Sequence, residues 1–132
     1  MERYSLKGEL TVARILIVED ETLIAMMLED WVVELGHTPV GPASSVSQAL
    51  TLLHETVCDA AIIDYNLQGQ TADPIAELLN VKCVPFIFAS GDHILEQDVR
   101  FTARPVLTKP YVFSRFDDVV ARLLDVKLAD VG

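Results

Sequence analysis

The chain has 132 residues, 51% of them apolar, a size that suits one domain of roughly 100–200 residues with a single core and excludes a two-domain reading. The longest apolar runs, such as Val84 to Ala89, fall far short of the ~20 residues that span a bilayer, and Met1-Glu2-Arg3-Tyr4-Ser5 lacks a basic-then-apolar signal, so a cytoplasmic chain with no membrane partner is expected. The net charge of −10 is uneven: Ile15 to Val81 holds eleven acidic residues and no Lys or Arg, which argues against nucleic-acid binding and favours a cation.

Ala13 to Val18 is a short β-branched apolar run ending abruptly in Glu19-Asp20-Glu21, as a buried parallel strand does where it emerges. Ile24, Leu28, Trp31 and Leu35 follow at helical spacing, with Glu29, Asp30 and Glu34 opposite and Gly36 as the stop. His37 to Gly41 reads as a weaker second strand. Ser45-Val46-Ser47-Gln48 is a capping-box pattern opening a helix with Val46, Ala49, Leu50 and Leu53 inward. Asp59 to Ile63 is a third strand that ends at Asp64.

Asp73-Pro74 reads as an N-cap with proline at the first helical position, and Ile75, Leu78 and Leu79 form the inward stripe of that helix. Val84 to Ala89 is a fourth strand, a weakly patterned helix is placed within Asp92 to Arg100, and Arg104 to Thr108 is a fifth strand. Pro105 puts that last strand at a sheet edge, because proline cannot donate to an interior ladder. A final helix from about Ser114 turns Phe116, Val119, Val120, Leu123 and Leu124 inward. Cys58 and Cys83 lie among apolar neighbours and read as small core residues, with no disulfide framework or zinc site. His37, His54 and His93 form no constellation and read as loop or surface residues.

Strands alternating with helices imply right-handed crossovers and a three-layer α/β fold, a (βα)5 doubly wound parallel sheet. Residues 1–12 form an N-terminal extension, 13–130 one domain, and nothing remains for an output domain. In such sheets ligands sit outside the carboxyl ends of the strands. Here those ends carry Glu19-Asp20, Asp64, Ser90-Gly91 and Lys109-Pro110.

If the first and third strands are neighbours, three carboxylates converge. Unit charges ~4 Å apart repel by about 4 kcal/mol at an effective dielectric near 20, so the trio needs raised pKa values or a bound cation. Hard oxygen donors suit Mg²⁺, which keeps waters and accepts phosphate oxygens. Ser90 and Lys109 suit an anion developing on Asp64, which becomes a carboxylate nucleophile toward phosphorus. Taken singly, each piece has a plainer explanation: Asp20 and Glu21 as helix caps, Ser90-Gly91 as a turn, Lys109-Pro110 as a strand end. Their joint placement on one rim is the argument.

With these residues assembled, the chain resembles the receiver domain of two-component response regulators over about residues 13–128. The matching motifs are Ile15-Leu16-Ile17-Val18-Glu19-Asp20-Glu21, Ile62-Ile63-Asp64-Tyr65-Asn66-Leu67, Phe88-Ala89-Ser90-Gly91 and Leu107-Thr108-Lys109-Pro110. The resemblance implies strand order 2-1-3-4-5 and phosphorylation of Asp64 by a histidine kinase or histidine phosphotransfer protein. It implies Mg²⁺ on Asp20, Asp64 and the backbone carbonyl of Asn66, with Glu19 acting through water. It further implies Ser90 as a switch residue, Lys109 pairing with the phosphoryl group, and a cis bond before Pro110.

Pro85 to Gly91 is similar to a subgroup with a Phe-Ala-Thr-Gly signature, with Ser in place of Thr. The family's usual aromatic three residues before the lysine is Val106 here. A rearrangement of Ser90 to Arg100 driven by the hydroxyl is the expected substitute for an aromatic flip. Signalling then passes by protein contact to a downstream partner. The face formed by the fourth helix, fifth strand and last helix is the family's usual docking surface and a possible homodimer interface.

Three rivals are weaker. A phosphatase of the haloacid dehalogenase class needs a second Asp two residues after the nucleophile, where this chain has Asn66. A flavodoxin-type module needs a phosphate-cradling loop after the first strand, where Glu19-Asp20-Glu21 repels phosphate. A receiver-shaped scaffold that signals without phosphate has no need of all five site residues.

Overall fold

The computed structural model describes residues 12–90 and 106–131, with side chains to Asp125. The helix expected within Asp92 to Arg100, Arg104-Pro105 of the fifth strand, and the N-terminal extension apart from Val12 lie outside the described residues, as does His93.

Strand β1 (Arg14–Val18) is followed by helix α1 (Thr22–Glu34), β2 (Thr38–Ala43), α2 (Val46–Glu55) and β3 (Ala60–Asp64). A two-stranded hairpin, β4 (Asn66–Leu67) with β5 (Gln70–Thr71), then precedes α3 (Asp73–Val81), β6 (Phe86–Ser90), β7 (Val106–Thr108) and the last helix α4 (Phe113–Val131). The main sheet runs β2-β1-β3-β6-β7 and is parallel throughout. Counted without the hairpin, this is the order 2-1-3-4-5. β7 is an edge strand, as proline at position 105 suggests, with β2 at the opposite edge.

The alternation of side chains along each strand builds two cores. Leu16, Val18, Ala61, Ile63, Phe86 and Phe88 face α2 and α3, burying Ala49, Leu53, Ile75 and Leu79. Ile15, Ile17, Ala60, Ile62, Ile87, Ala89 and Leu107 face α1 and α4, burying Leu28, Val32, Phe116, Val120 and Leu124. Both faces are covered, which is why these strands read as continuous apolar runs. Trp31 meets Phe113 edge-on, centroids 5.5 Å apart, and ties α1 to α4.

Local signals explain two of the helix ends. Gly36, at φ 86°, closes α1: its N–H donates to Val33 O and that of His37 to Val32 O, a Schellman turn that only a left-handed residue completes. Ser45 Oγ accepts the Gln48 N–H at 3.2 Å and caps α2.

Several expectations are corrected. In α1 the expected stripe is widened rather than moved: Leu28 and Leu35 are buried, Ile24 and Trp31 pack half-buried against the same core, and Ala25 and Val32 are buried beside them. Ala72, not Asp73, is the N-cap of α3, because the Asp73 carboxylate accepts from Tyr65 OH at 3.2 Å and from Thr71 Oγ1 at 3.2 Å. Cys83 is exposed at φ 59° in the turn after α3, so Cys58 alone is a core cysteine. His37 lies in a loop but is buried, its Nδ1 accepting the Ala13 N–H at 3.0 Å.

Candidate functional site

Parallel pairing fixes the rim of the site. β1 pairs with β3 through Val18 opposite Ile63, so Glu19 and Asp64 are the next residues out on adjacent strands. Asp64 pairs with Ala89, and Ser90 with Thr108, which brings Ser90 and Lys109 to the same edge. Asp64 and Ser90 are the last residues of their strands, and Glu19 and Lys109 follow directly on theirs.

Glu19, Asp20 and Asp64 each offer a carboxylate oxygen within 4.8 Å of the others. Glu19 and Asp64 are buried and Asp20 is half-buried. Lys109 Nζ donates to Glu19 Oε1 and to Asp64 Oδ2, both at 3.1 Å. Its ammonium also lies 5.8 Å from the ring centroid of Tyr111. One cation therefore bridges two of the three carboxyl groups, and among the described residues Glu19 Oε2, also buried, finds no hydrogen-bond partner.

The electrostatics follow. Burial, reinforced by the neighbouring Asp64, pushes the Glu19 carboxyl up to about 8 against the pull of Lys109, so near neutral pH it retains a proton. Burial alone would lower the Lys109 ammonium, but Asp64 and Glu19 outweigh it and hold it above its ordinary value. Tyr111 is raised by burial and then by Glu19, Asp64 and Glu21, so its hydroxyl stays neutral.

One contact and one missing bond weigh against the plainer reading of the acidic pair as side-chain caps. Glu21, at the N-cap of α1, makes no side-chain capping bond. Asp20 Oδ2 accepts the backbone N–H of Gln68 at 3.0 Å, across 48 residues. Glu21 therefore caps α1 through its backbone alone, and the Asp20 carboxylate is engaged by the segment after β3.

Glu19, Asp20, Asp64 and Lys109 come together through their side chains. Ser90 is buried at the end of β6, and its carbonyl accepts the Lys109 N–H at 3.1 Å. Asn66 is exposed, and its backbone N–H donates to Asp64 Oδ1 at 3.2 Å. The Lys109–Pro110 peptide bond is cis, as is Gly41–Pro42. Sequence reasoning missed Tyr111, whose only signal is an aromatic beside Lys109-Pro110, and Gln68, whose hairpin strands of two residues are too short to pattern.

The donor set fits a hard divalent cation. It is all oxygen and rich in carboxyl groups, and it includes a buried carboxyl oxygen that no group among the described residues satisfies. Among the described residues, no helix is long and apolar enough to cross a membrane.

No protein-family model matches the chain. The phyllosphere-induced regulator PhyR of Methylorubrum extorquens is 39% identical over 80 residues, 58% of this chain and 30% of that protein, so the chain spans less than a third of this curated relative. The solution structure of SdrG from Sphingomonas melonis Fr1 aligns with a TM-score of 0.72 at 45% identity, over 89% of this chain and 97% of that one. A further solution structure shows SdrG in a BeF3-activated conformation, with a TM-score of 0.73 and 46% identity over 84% of this chain and 95% of that one. The receiver domain of the response regulator PhyR from Erythrobacter litoralis aligns with a TM-score of 0.73 at 30% identity, over 86% of this chain and 90% of that one. With its fold, its rim of acids and its lysine, the chain belongs to the receiver domain family of response regulators.

Proposed function

We propose that this receiver domain is a phosphoacceptor in two-component signalling, not an enzyme turning over a separate substrate. Asp64 takes a phosphoryl group from the phosphohistidine of a histidine kinase or histidine phosphotransfer protein, and the signal leaves by contact with a downstream protein. The observation that supports this best is Lys109 Nζ, 3.1 Å from both Asp64 Oδ2 and Glu19 Oε1 in a cluster rich in carboxyl groups.

Transfer forms a bond between an Asp64 carboxylate oxygen and phosphorus as the bond from phosphorus to the donor's imidazole nitrogen breaks, its electron pair leaving with the imidazole. Catalysis of such a transfer rests on positioning and on neutralising the equatorial oxygens. Lys109 turns its remaining N–H donors from Glu19 to the new phosphoryl oxygens, and the Ser90 hydroxyl supplies a further donor. Asp20, Asp64 and the backbone carbonyl of Asn66, with Glu19 through water, are the groups that would hold Mg²⁺. When bound, the ion supplies charge neutralisation on those same oxygens. A cation entering the pocket would displace the Glu19 proton to solvent, which couples metal uptake to pH.

The test is incubation with acetyl phosphate and Mg²⁺, followed by intact mass. A hydroxylamine-labile adduct of ~80 Da on the parent and none on Asp64→Asn is expected, as one aspartyl phosphate gives. An equal adduct on both proteins refutes the assignment.

A further inference from the structure

The hairpin between β3 and α3 is built more firmly than a connection of this length requires. Leu67 is 1% exposed and pins it to the core. The Ala72 N–H donates to Tyr65 O at 2.8 Å and closes its base. Tyr65 OH and Thr71 Oγ1 converge on the Asp73 carboxylate, the first residue of α3, and the Tyr65 ring packs edge-on against Phe88 with centroids 5.0 Å apart. The two turn residues, Gln68 at φ 50° and Gly69 at φ 83°, both occupy the left-handed region, as a type I′ turn demands.

This braced turn delivers one group to the pocket, the Gln68 backbone N–H, 3.0 Å from Asp20 Oδ2. Asp20 is the least buried of the three acids, and the two carboxylates that Lys109 bonds are the others, Glu19 and Asp64. A carboxylate that presents one oxygen to a cation is fixed in orientation by what its other oxygen accepts, and such outer partners govern metal affinity.

We infer that Gln68 is a positioning residue for Mg²⁺: its backbone amide, held by the left-handed Gln68-Gly69 turn, orients Asp20 so that its free oxygen faces the ion. The inference rests on the phosphoacceptor reading, which supplies the ion. By reciprocity, bound Mg²⁺ strengthens the amide's bond to Asp20 and stiffens the hairpin.

Gly69 offers a clean probe, because an added Cβ meets nothing within 4 Å and only the positive φ is at stake. Gly69→Val places a β-branched residue where the turn needs φ above zero, while Gly69→Asn places a side chain in the same open space that tolerates it. Mg²⁺ binding is measured by titration calorimetry on the parent and both variants, alongside their thermal midpoints. A dissociation constant about ten-fold weaker for Gly69→Val is expected, the size of an outer-partner loss, with Gly69→Asn restored to within about two-fold of the parent. In the parent, saturating Mg²⁺ slows hydrogen exchange at the Gln68 amide. Gly69→Val binding as tightly as the parent, or Gln68 exchange in the parent unchanged or faster with Mg²⁺, overturns the inference while leaving the phosphoacceptor reading intact. A parent that takes up no Mg²⁺ overturns both.

Discussion

The Lys109 ammonium sits 3.1 Å from Glu19 Oε1, while Oε2 of the same buried carboxyl has no hydrogen-bond partner among the described residues. Half-compensation of this kind sets the pH behaviour of the pocket. The folded-state pKa of Glu19 is raised from 4.5 to about 8, chiefly by burial and then by Asp64. Between those values the folded chain binds a proton that the unfolded chain has lost, so stability falls as pH rises through that window and levels off above it. The slope from this one group is at most ~1.4 kcal/mol per pH unit. Urea denaturation of the metal-free protein from about pH 5 to about pH 8 is expected to show this decline, and Glu19→Gln to flatten it. The same proton competes with a cation, so Mg²⁺ affinity is expected to rise over that interval.

Lys109→Met removes the cation that holds Asp64 and Glu19 together. Loss of one partner from a half-buried cluster leaves uncompensated charge, with an expected cost of about 1–3 kcal/mol in the metal-free protein near pH 8. Mg²⁺ no longer competes with an ammonium, so its stabilising effect grows relative to the parent. Thermal midpoints with and without Mg²⁺ measure both. A variant as stable as the parent without metal contradicts the role given to the ammonium.

Tyr65→Phe removes a single hydroxyl from the Asp73 cluster and leaves the ring against Phe88. The expected loss is about 1–2 kcal/mol, the worth of a hydrogen bond to a charged acceptor in a half-buried place. Amide exchange from Asn66 to Thr71 is expected to quicken with it. Unchanged exchange there means that the hairpin does not depend on this brace.

The fold was legible where periodicity is strong. Four core strands and the stripe Phe116, Val119, Val120, Leu123 and Leu124 follow from residue pattern, because burial on both faces of a sheet or one side of a helix leaves a local signature. Strand order leaves none, and it followed from the resemblance of the site motifs. The misplaced details share a cause. Asp73 has the local form of a cap, yet its carboxylate is taken by Tyr65, eight residues earlier. Cys83 has apolar neighbours, yet the left-handed turn at φ 59° points it to solvent. His37 is buried because the Schellman turn folds the chain back onto Ala13. The acids and the lysine of the site were readable as strand ends, whereas the Gln68 amide on Asp20 is a backbone contact across 48 residues.

Thiol titration tests the correction at Cys83. One thiol is expected to react with an aromatic disulfide in the native protein, and Cys58, 5% exposed, only after denaturation. Two thiols reacting at the same rate in the native state contradict the packing around Cys58.

The most direct test is to locate the acyl phosphate itself. After phosphorylation from acetyl phosphate with Mg²⁺, borohydride reduces an aspartyl phosphate to homoserine, and peptide mapping reads its position. Homoserine at residue 64 and nowhere else is the expected result; reduction at Glu19 or Asp20, or at no carboxylate, contradicts Asp64 as the acceptor.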